Sequence, residues 1–340
     1  MSKLISVALA AFLVISVFPT ASVSKEVTSH PEVKISIYTG RVGTMNWTLS
    51  QGLSDIVLKN SKWLKPTVVD TTGATEIYKM MAARPELRTK SIWYSGVDND
   101  VLARQGFKPL PKYTTARPIM LLTGGGGTLG TLNPEIKTLA DLPGKKVDVG
   151  IKGSFLHIVD LVPILEAARV LDKVKTYNLG WSKGPEAMAD GLIDATYFSM
   201  TPSEPGGQWA PNKALTKLLA TKKVYFIDFG EDVIMKAKKS TGYPIFPMVI
   251  PAGAFGKGVP PKDVTGNAYL QAWYADAELS EDVVYEIVRV AWEHINDFRL
   301  YHHAGKQYSA EGMATLPYPE EEWHPGAVKF YKDKGIKIGQ

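Results

Sequence analysis

The stretch Lys34-Ile35-Ser36-Ile37-Tyr38-Thr39-Gly40-Arg41-Val42-Gly43-Thr44 decides the fold that this sequence predicts. Residues 34–38 are rich in β-branched and aromatic side chains and predict a strand, and the glycines after them predict a turn. From about residue 46 to residue 59, leucine, isoleucine and valine recur on one face at helical spacing, which predicts an amphipathic helix. A strand, a glycine-bearing turn and a helix in this order form the repeating unit of an α/β protein with largely parallel sheets.

The same unit recurs along the rest of the chain. Residues 67–70, 91–94 and 117–122 predict strands, with a helix at 74–83, and a second group begins with a strand at 146–149. Further predictions are helices at 155–170 and 186–190, strands at 175–179, 195–198, 224–229, 245–250 and 267–273, and a long helix that Ser280 caps. At 340 residues the chain is long enough for two globular units. We therefore predict two α/β lobes, one formed by residues 25–122 and 251–340 and the other by residues 123–250.

The first residues have the three parts of a secretory signal peptide, which we assign to residues 1–24. Lys3 gives a positive start, residues 4–18 are almost wholly apolar, and Pro19 ends the run. Small side chains at Ser22 and Ser24 lie at the two positions that a signal peptidase recognises, so we predict cleavage near Ser24 and export to the periplasm. A retained membrane anchor is the alternative, but about 15 apolar residues fall short of the roughly 20 that span a bilayer.

Composition excludes several classes of site. The chain has no cysteine, which excludes a disulfide, a thiolate metal site, a thiol nucleophile and a lipoprotein anchor. Its net charge is +5, and its lysines are interspersed with acidic residues. The chain therefore lacks the basic stripe of a nucleic-acid-binding protein. The six histidines form no H-x-x-x-H pair, and the sequence has no G-x-S-x-G elbow or P-loop lysine. We therefore expect no metal site, no cofactor, no nucleic-acid partner and no enzymatic activity.

A glycine-rich stretch follows the fourth predicted strand. Residues 125–130 match the G-x-G-x-x-G fingerprint of dinucleotide-binding enzymes, so an enzyme that uses residues 124–130 is an alternative. The fingerprint requires a helix after the glycines, whereas Asn133-Pro134 and a short turn come before the next strand, which favours a flexible hinge or surface loop. Asp98 and Asp100 form a carboxylate pair in a predicted polar loop, where solvation or a helix cap explains them better than acid–base chemistry does.

Three turns combine glycine with a hydroxyl residue where a strand ends and a helix begins: Gly43-Thr44, Thr72-Gly73-Ala74-Thr75 and Gly153-Ser154. Ligands of open α/β sheets bind at the carboxyl ends of the strands, and helix N-termini there offer free N–H groups to an anion. Each turn alone is also explained by the turn and cap preferences of these residues. Three of them, spread over two lobes, predict a cleft that holds a carboxylate.

The candidate ligand-binding residues follow from these turns and from the aromatic residues near them. Backbone N–H groups of Thr44, Met45 and residues 72–75 hold the carboxylate in this hypothesis. The Ser95 and Ser154 hydroxyls assist, and Trp93 packs on the carbon skeleton. Arg41 either supplies a positive charge at the first turn or is a solvated loop residue. The complete predicted set is Arg41, Thr44, Met45, Asn46, Thr72, Gly73, Ala74, Thr75, Trp93, Ser95, Ser154 and Tyr197.

Three segments carry a resemblance to a known family. They are Ile37-Tyr38-Thr39-Gly40-Arg41-Val42-Gly43, then Leu139-Ala140-Asp141-Leu142-Pro143-Gly144-Lys145-Lys146-Val147 with Val149-Gly150, and His324-Pro325-Gly326-Ala327-Val328-Lys329-Phe330-Tyr331. Together they resemble the TAXI family, the solute receptors of one class of tripartite ATP-independent periplasmic (TRAP) transporters. The resemblance covers nearly all of the chain after the predicted signal peptide, and the last segment is the more particular to this family.

This resemblance implies a fold of the periplasmic binding protein type II class, with a ligand cleft between two α/β lobes. It also implies a periplasmic receptor that closes on its ligand by hinge motion and delivers a glutamate- or 2-oxoglutarate-like acid to an ion-gradient-driven TRAP permease. We expect such a receptor to act as a monomer and not as an enzyme. A substrate-binding protein of an ABC-type importer shares this architecture and is the alternative.

Overall fold

The computed structural model describes residues 30–202, 209–256 and 258–339. The predicted signal peptide, residues 1–24, lies outside this part of the chain. Among the helices that are described, none is both long enough and apolar enough to span a membrane.

The first strands and helices alternate, and the sequence predicts all of them except the third helix. They are β1 (Val33–Thr39), α1 (Met45–Asn60), β2 (Leu64–Asp70), α2 (Ala74–Ala83), β3 (Ser91–Gly96) and α3 (Val97–Gln105). α1 begins after Thr44, whose Oγ1 accepts the Trp47 N–H at 3.3 Å and so caps the first turn. Leu49, Leu53 and Ile56 on the inner face of α1 are buried, and each contributes about 1.5–3 kcal/mol to stability.

The rest of the chain supplies the second group of strands and the closing helices. The middle elements are β4 (Ala116–Thr131), β5 (Lys146–Asp148), a π-helical segment (Leu156–Leu161) that continues into α4 (Val162–Ala167), β6 (Lys175–Tyr177), α5 (Gly180–Ala189), β7 (Ala195–Pro202), β8 (Trp209–Pro211), α6 (Lys213–Leu219), β9 (Tyr225–Phe226), α7 (Glu231–Thr241) and β10 (Phe246–Ile250). The last elements are β11 (Val264–Asp276), α8 (Glu281–Glu293) and α9 (Pro325–Asp333).

The strands form one mixed sheet. Their order is β2-β1-β3-β11-β4-β7-β5-β6, with β10 beside β11, β8 beside β7 and β9 beside β4. β1 runs parallel to β2 and β3, and β5 runs parallel to β6 and β7. β4 and β11 are antiparallel to each other and to the strands that flank them. The predicted α/β class is therefore confirmed, and its two parallel groups are joined through a central antiparallel pair.

Two long strands pass through the middle of this sheet. β4 has 16 residues and β11 has 13, which makes them the longest strands in the described part of the chain. Residues 271–275 of β11 pair with β3, whereas residues 126–131 of β4 pair with β7. The lobe boundary expected between residues 122 and 123 falls inside β4. Both long strands thus run from one parallel group of the sheet to the other.

The glycine-rich stretch at 124–130 lies inside β4, which corrects the expectation of a surface loop. Its backbone pairs with β11 on one side and with β7 on the other, so it does not form the strand-to-helix turn of a dinucleotide site. Rings from the flanking strands lie over it: a Cβ at Gly125 would collide with the Tyr269 ring, and one at Gly127 with the Tyr197 hydroxyl. Close packing of these tyrosines, rather than mobility, requires glycine here.

Asp98 and Asp100 lie in the first turns of α3, which corrects the expectation of a polar loop. Asp100 is fully buried and pairs with Arg104 at 2.8 Å. It also accepts hydrogen bonds from the hydroxyls of Tyr78 and Tyr318, both at 2.9 Å. Asp100 and Arg104 therefore form a structural ion pair in the core, in which both carboxylate oxygens of Asp100 have hydrogen-bond partners. Asp98 has a different environment, described below.

The C-terminal motif builds the junction between α8 and α9. His324 is fully buried, and its Nδ1 accepts the Gly326 N–H at 3.2 Å, so it caps α9, with Pro325 in the first helical position. Burial lowers the pKa of His324 to about 4, and the ring is therefore neutral at pH 7. A Cβ at Gly326 would collide with the backbone oxygen of Glu281 in α8. The motif is structural, since it allows the two helices to approach closely.

Candidate ligand-binding site

A cavity of about 720 Å³ lies where the starts of α1, α2 and α3 face the π-helical segment, β7 and β11. Its volume falls within the range of about 300–1,000 Å³ that small-molecule sites occupy. The lining residues are Thr44, Met45, Asn46, Thr72, Gly73, Ala74, Thr75, Glu76, Tyr94, Gly96, Asp98, Asn99, Phe155, Leu156, Asp160, Tyr197, Ser199, Asn267, Tyr269, Leu270 and Gln271. Residues from both parallel groups of the sheet therefore meet at one space.

The start of α1 presents backbone donors to this cavity. Thr44 Oγ1 donates to the Arg41 carbonyl at 2.7 Å and accepts the Trp47 N–H at 3.3 Å, so its side chain is fully used in the turn. Met45 and Asn46 occupy the first helical positions, where an N–H group has no intrahelical acceptor. Both residues line the cavity, and these two N–H groups are the donors that α1 can offer to a ligand.

At the start of α2, the Glu76 carboxylate already accepts hydrogen bonds from the preceding turn. Glu76 Oε2 accepts both the Thr72 N–H and the Thr72 hydroxyl at 2.6 Å, and these hydrogen bonds lower the pKa of Glu76. Gly73 precedes the helix with φ of 134°, a conformation that glycine adopts readily and other residues rarely do. The Ala74 N–H lies beside the Tyr94 hydroxyl. The Thr75 N–H is thus the first-turn donor of α2 that neither neighbour engages.

The start of α3 contributes a carboxyl group. Asp98 is partly buried in the first turn, and its Oδ1 accepts the Asn99 side-chain amide at 3.0 Å. Burial raises the pKa of Asp98, and the hydrogen bonds from the Asn99 side chain and from the backbone N–H groups of Asn99 and Asp98 offset only part of that increase. Asp98 therefore presents a carboxyl group to the cavity whose ionised form is poorly stabilised by the protein.

A second carboxyl group reaches the cavity from the opposite side. Asp160 belongs to the π-helical segment, and burial raises its pKa well above the ordinary aspartate value. The negative charge of Asp98 raises the pKa of Asp160 further, while a hydrogen bond from Asn267 lowers it. Tyr197 Oη donates to Asn267 Oδ1 at 2.9 Å, which fixes the amide beside Asp160. The charge of Asp98 therefore acts on Asp160 across this space.

Charge in the lining has one sign. Glu76, Asp98 and Asp160 are acidic, and the described residues that line the cavity include no lysine, arginine or histidine. Within the described lining, the helix starts supply positive potential as partial charges on backbone N–H groups. A ligand in this cavity thus meets backbone donors on the α1 and α2 side and carboxyl groups elsewhere.

Eight of the twelve residues predicted for the site line the cavity. They are Thr44, Met45, Asn46, Thr72, Gly73, Ala74, Thr75 and Tyr197. The structure places Arg41, Trp93, Ser95 and Ser154 elsewhere, for different physical reasons.

Trp93 and Ser95 lie on the face of β3 that is turned away from the cavity. Trp93 is fully buried and packs edge-on against Tyr78 and Tyr113, with ring centroids 6.3 Å and 6.2 Å away. Side chains alternate along a strand, so its neighbour Tyr94 reaches the cavity instead. Ser95 is also fully buried, and its hydroxyl donates to the Gly96 carbonyl at 3.1 Å.

The other two serve the turns that precede the helices. Ser154 repeats the role of Thr44: its Oγ accepts the N–H three residues later, from His157, at 3.3 Å. The next residues, Phe155 and Leu156, line the cavity in its place. Arg41 is exposed in the loop before α1, in a surface depression that it shares with Glu76 rather than in the cavity.

Several lining residues were not predicted. Asn267, Tyr269 and Gln271 alternate along β11, so one face of that strand supplies all three. The period-two polar and aromatic pattern of this strand is visible in the sequence and is the signal that could have found them. Asp98 and Asp160 have no comparable local signal, because their roles depend on which helical face meets the opposite wall.

Comparison with solved structures agrees with this architecture. A TctC solute-binding protein from Polaromonas, solved without ligand, has a TM-score of 0.52 at 12% sequence identity, over 83% of this chain and 91% of that chain. The periplasmic aliphatic sulphonate-binding protein SsuA from Escherichia coli has a TM-score of 0.44 at 12% identity, over 92% and 95% of the two chains. MatC from Rhodopseudomonas palustris, with bound malate, has a TM-score of 0.46 at 14% identity, over 90% and 97%. The first of these likenesses shows a shared fold.

The sequence itself shows a closer relationship. The model of the NMT1-like family matches residues 37–335, a span that runs from β1 to the end of α9 and contains every residue of the cavity lining. This chain therefore belongs to the NMT1-like family.

Proposed function

We propose that this protein is an extracytoplasmic solute receptor that binds a small organic acid in the cavity and delivers it to a membrane permease. The observation that carries the proposal is the meeting of two helix starts, those of α1 and α2, at one cavity of about 720 Å³. First-turn N–H groups lack an intrahelical acceptor and lie at the positive end of the helix dipole, which suits a carboxylate. The fold shared with a TctC solute-binding protein supports a binding role rather than catalysis.

The mechanism that we propose is closure of two lobes on the ligand. One lobe comprises residues 25–122 and 251–340, and the other comprises residues 123–250. Lining residues of both support this arrangement, since Met45 and Thr75 belong to the first lobe and Leu156 and Tyr197 to the second. The ligand binds the closed form more tightly and so shifts the population towards it, and no bond is made or broken.

We place the bend of this closure in β4 and β11. These two long strands connect the parallel groups of the sheet, and each shows a departure from regular pairing with the other. The register between them shifts at Gln271/Ala272 and at Trp273/Tyr274. Irregular pairing weakens the ladder locally, so a change of angle there disturbs fewer hydrogen bonds than one in a regular ladder.

A TRAP permease is the proposed partner, and the periplasm is the proposed compartment, after removal of a signal peptide near Ser24. The resemblance of the three sequence segments to the TAXI family supports this partner. Reconstitution of the receptor with candidate permeases in vesicles separates the alternatives. Transport that needs an ion gradient and no ATP supports a TRAP permease, whereas transport that requires ATP hydrolysis supports an ABC-type importer. Light scattering of the purified receptor tests our expectation of a monomer.

Thermal unfolding of the exported protein tests the binding function. Mono- and dicarboxylic acids, 2-oxo acids and amino acids are each added at one concentration to protein freed of ligand by unfolding and refolding. A ligand that binds only the folded state at about 100 times its Kd stabilises that state by about 2.7 kcal/mol, which raises the midpoint by several degrees. If the protein refolds and no acid raises the midpoint, the proposed function is wrong.

A further inference from the structure

The two cavity aspartates have no cationic partner in the described part of the chain. Asp98 and Asp160 take part in none of the ion pairs found there, although Asp100, two residues from Asp98, pairs with Arg104. Asp98 accepts hydrogen bonds from the Asn99 side-chain amide and from backbone N–H groups of the first turn, and Asp160 from the Asn267 amide; these neutral donors orient a carboxylate but carry no positive charge of their own. The fold thus holds two carboxyl groups in one partly buried space without compensating charge.

This arrangement is unfavourable for the empty protein. Burial of an unpaired carboxylate is disfavoured, and two carboxylates that share a site repel each other. Both effects act here, since burial raises the pKa of Asp98 and of Asp160, and the charge of Asp98 raises the pKa of Asp160 further. A bound cation would relieve both effects at once. Unfavourable groups of this kind are typical of binding sites, where a ligand supplies the missing partner.

Two further acceptors in the lining also lack a partner that a ligand could supply. The side-chain oxygens Asn46 Oδ1 and Gln271 Oε1 are buried and have no hydrogen-bond partner among the described residues. A buried acceptor without a donor is unfavourable by about 1–3 kcal/mol. Asn46 follows the start of α1 and Gln271 pairs with Gly96 beside the start of α3, so these acceptors flank the same space as Asp98. These two side-chain oxygens therefore have no donor from the described residues.

We propose that Asp98 and Asp160 bind a protonated nitrogen of the ligand, which makes the ligand a zwitterion of the amino-acid type and not a plain mono- or dicarboxylic acid. This proposal rests on the function proposed above, because it assigns the charge of a ligand in the same cavity. The carboxylate of the zwitterion faces the N–H groups of Met45 and Thr75, and its ammonium group faces the aspartates. Neutral and acidic amino acids both satisfy this description.

The proposal explains the position of Arg41. Arginine is the side chain best suited to bind a carboxylate in a buried site, because its guanidinium group is always charged and can donate two parallel hydrogen bonds. Arg41 lies instead in the exposed loop before α1, beside Glu76. With the arginine outside and two aspartates inside, the cavity complements a ligand that carries its own positive charge.

Calorimetric titration of the exported protein with matched ligands tests the proposal without any mutation. Each amino acid is compared with the acid that lacks its amino group and with the amine that lacks its carboxylate, for example L-leucine with 4-methylpentanoate and 3-methylbutylamine, and L-glutamate with glutarate. We expect the preferred amino acid to bind at least about thirtyfold more tightly than its deaminated counterpart, as for the loss of one partner of a buried charge pair. Calcium and sodium salts, titrated alone, are expected to give no heat of binding.

Two isosteric variants locate the effect. Asp98→Asn and Asp160→Asn keep the shape of the side chain but remove its charge, and each is expected to weaken binding of the amino acid about tenfold or more. Binding of the deaminated acid is expected to change in neither variant by more than about threefold, because no ammonium group is lost. Asp172→Asn removes an equal charge from an exposed residue outside the cavity and serves as the control.

The outcomes separate this proposal from the function on which it rests. If a deaminated acid binds as tightly as its amino acid, the zwitterion proposal is overturned and the receptor function stands. If the amine without a carboxylate binds as tightly as the amino acid, the role of the aspartates stands and the role of the helix starts is wrong. A metal salt that binds alone and competes with the amino acid overturns the zwitterion proposal. Folded protein that binds no acid and no amine overturns both.

Discussion

Asp98 and Asp160 face the same cavity from helices in different parts of the chain, and the charge of Asp98 raises the pKa of Asp160. The nearby Asp100 has the same side chain and deeper burial but is paired with Arg104. On the same helix, Asp100 therefore has a cationic partner and stabilises the fold, whereas Asp98 has no such partner. This difference leads to predictions about stability as well as binding.

Asp160→Asn is expected to stabilise the ligand-free protein, by about 0.5–2 kcal/mol at pH 7.5. The folded state raises the pKa of Asp160, so the favourable contribution of its protonated form is complete below about pH 4 and is lost as the pH rises through the raised pKa. The advantage of the asparagine variant should therefore grow from pH 4 to pH 8. Urea unfolding of both proteins across this range measures it, and a variant less stable than the wild type at pH 7.5 would contradict the prediction.

Affinity for an amino-acid ligand is expected to increase as the pH rises through the raised pKa values of Asp98 and Asp160, which should be visible in titrations from about pH 5 to pH 8. A cationic group binds ionised carboxyl groups, and the empty cavity holds both aspartates at raised pKa values, so binding releases protons over this range. The titratable groups of the lining are Glu76, Tyr94, Asp98, Asp160, Tyr197 and Tyr269. The pKa of Glu76 is lowered and those of the tyrosines are raised above 10, so neither type changes charge between pH 5 and pH 8.

Calorimetry in two buffers of different ionisation enthalpy measures this proton release directly. Release that disappears in the double variant Asp98→Asn/Asp160→Asn assigns the protons to the aspartates. An affinity that falls with rising pH would mean that a protonated aspartate donates to the ligand carboxylate, and the ammonium assignment would then be wrong.

The strand–turn–helix order was predictable because its signals are local. The cap of Thr44 and the turn at Gly73 depend only on residues within one turn of the chain, and both lie where the sequence predicts them. The face that each strand turns towards the cavity was not predictable in this way. Trp93 and Tyr94 are adjacent aromatic residues, and their opposite positions depend on the register of β3 against β11.

The glycine-rich stretch at 124–130 is a second case in which local sequence does not determine the environment of a segment. A run of glycines carries the same local signal in a loop as in a tightly packed strand. Its true environment depends on Tyr197 in β7 and Tyr269 in β11, which lie far away in the sequence and close in space. A run of glycines in the sequence therefore predicts an unusual backbone environment. Whether that environment is a flexible loop or a closely packed strand depends on the neighbouring strands.

The role of the α1 start can be tested by deleting one backbone donor. Met45 is the first helical residue, and Thr44 before it is extended at φ −78° and ψ 159°, a conformation that a following proline accepts. Met45→Ala removes most of the side chain, and Met45→Pro removes the N–H group as well. If that N–H binds the carboxylate, the proline variant should bind about tenfold or more weakly than the alanine variant. Equal affinities of the two variants, with equal helix content, would exclude this donor.

The glycines of β4 provide the last test, because they position a cavity tyrosine. A methyl group at Gly127 would overlap the Tyr197 hydroxyl and the Phe198 backbone, so Gly127→Ala is expected to displace Tyr197 from Asn267 and to destabilise the protein by about 1–3 kcal/mol. Gly124→Ala is the control on the same strand, since its methyl group meets only the flexible end of Leu270, at 3.1 Å. Because Asn267 bonds to Asp160, the Gly127 variant should also weaken ligand binding more than the control. Equal stability and equal affinity of the two variants would show that the strand tolerates a side chain at residue 127 and that glycine there does not position the site.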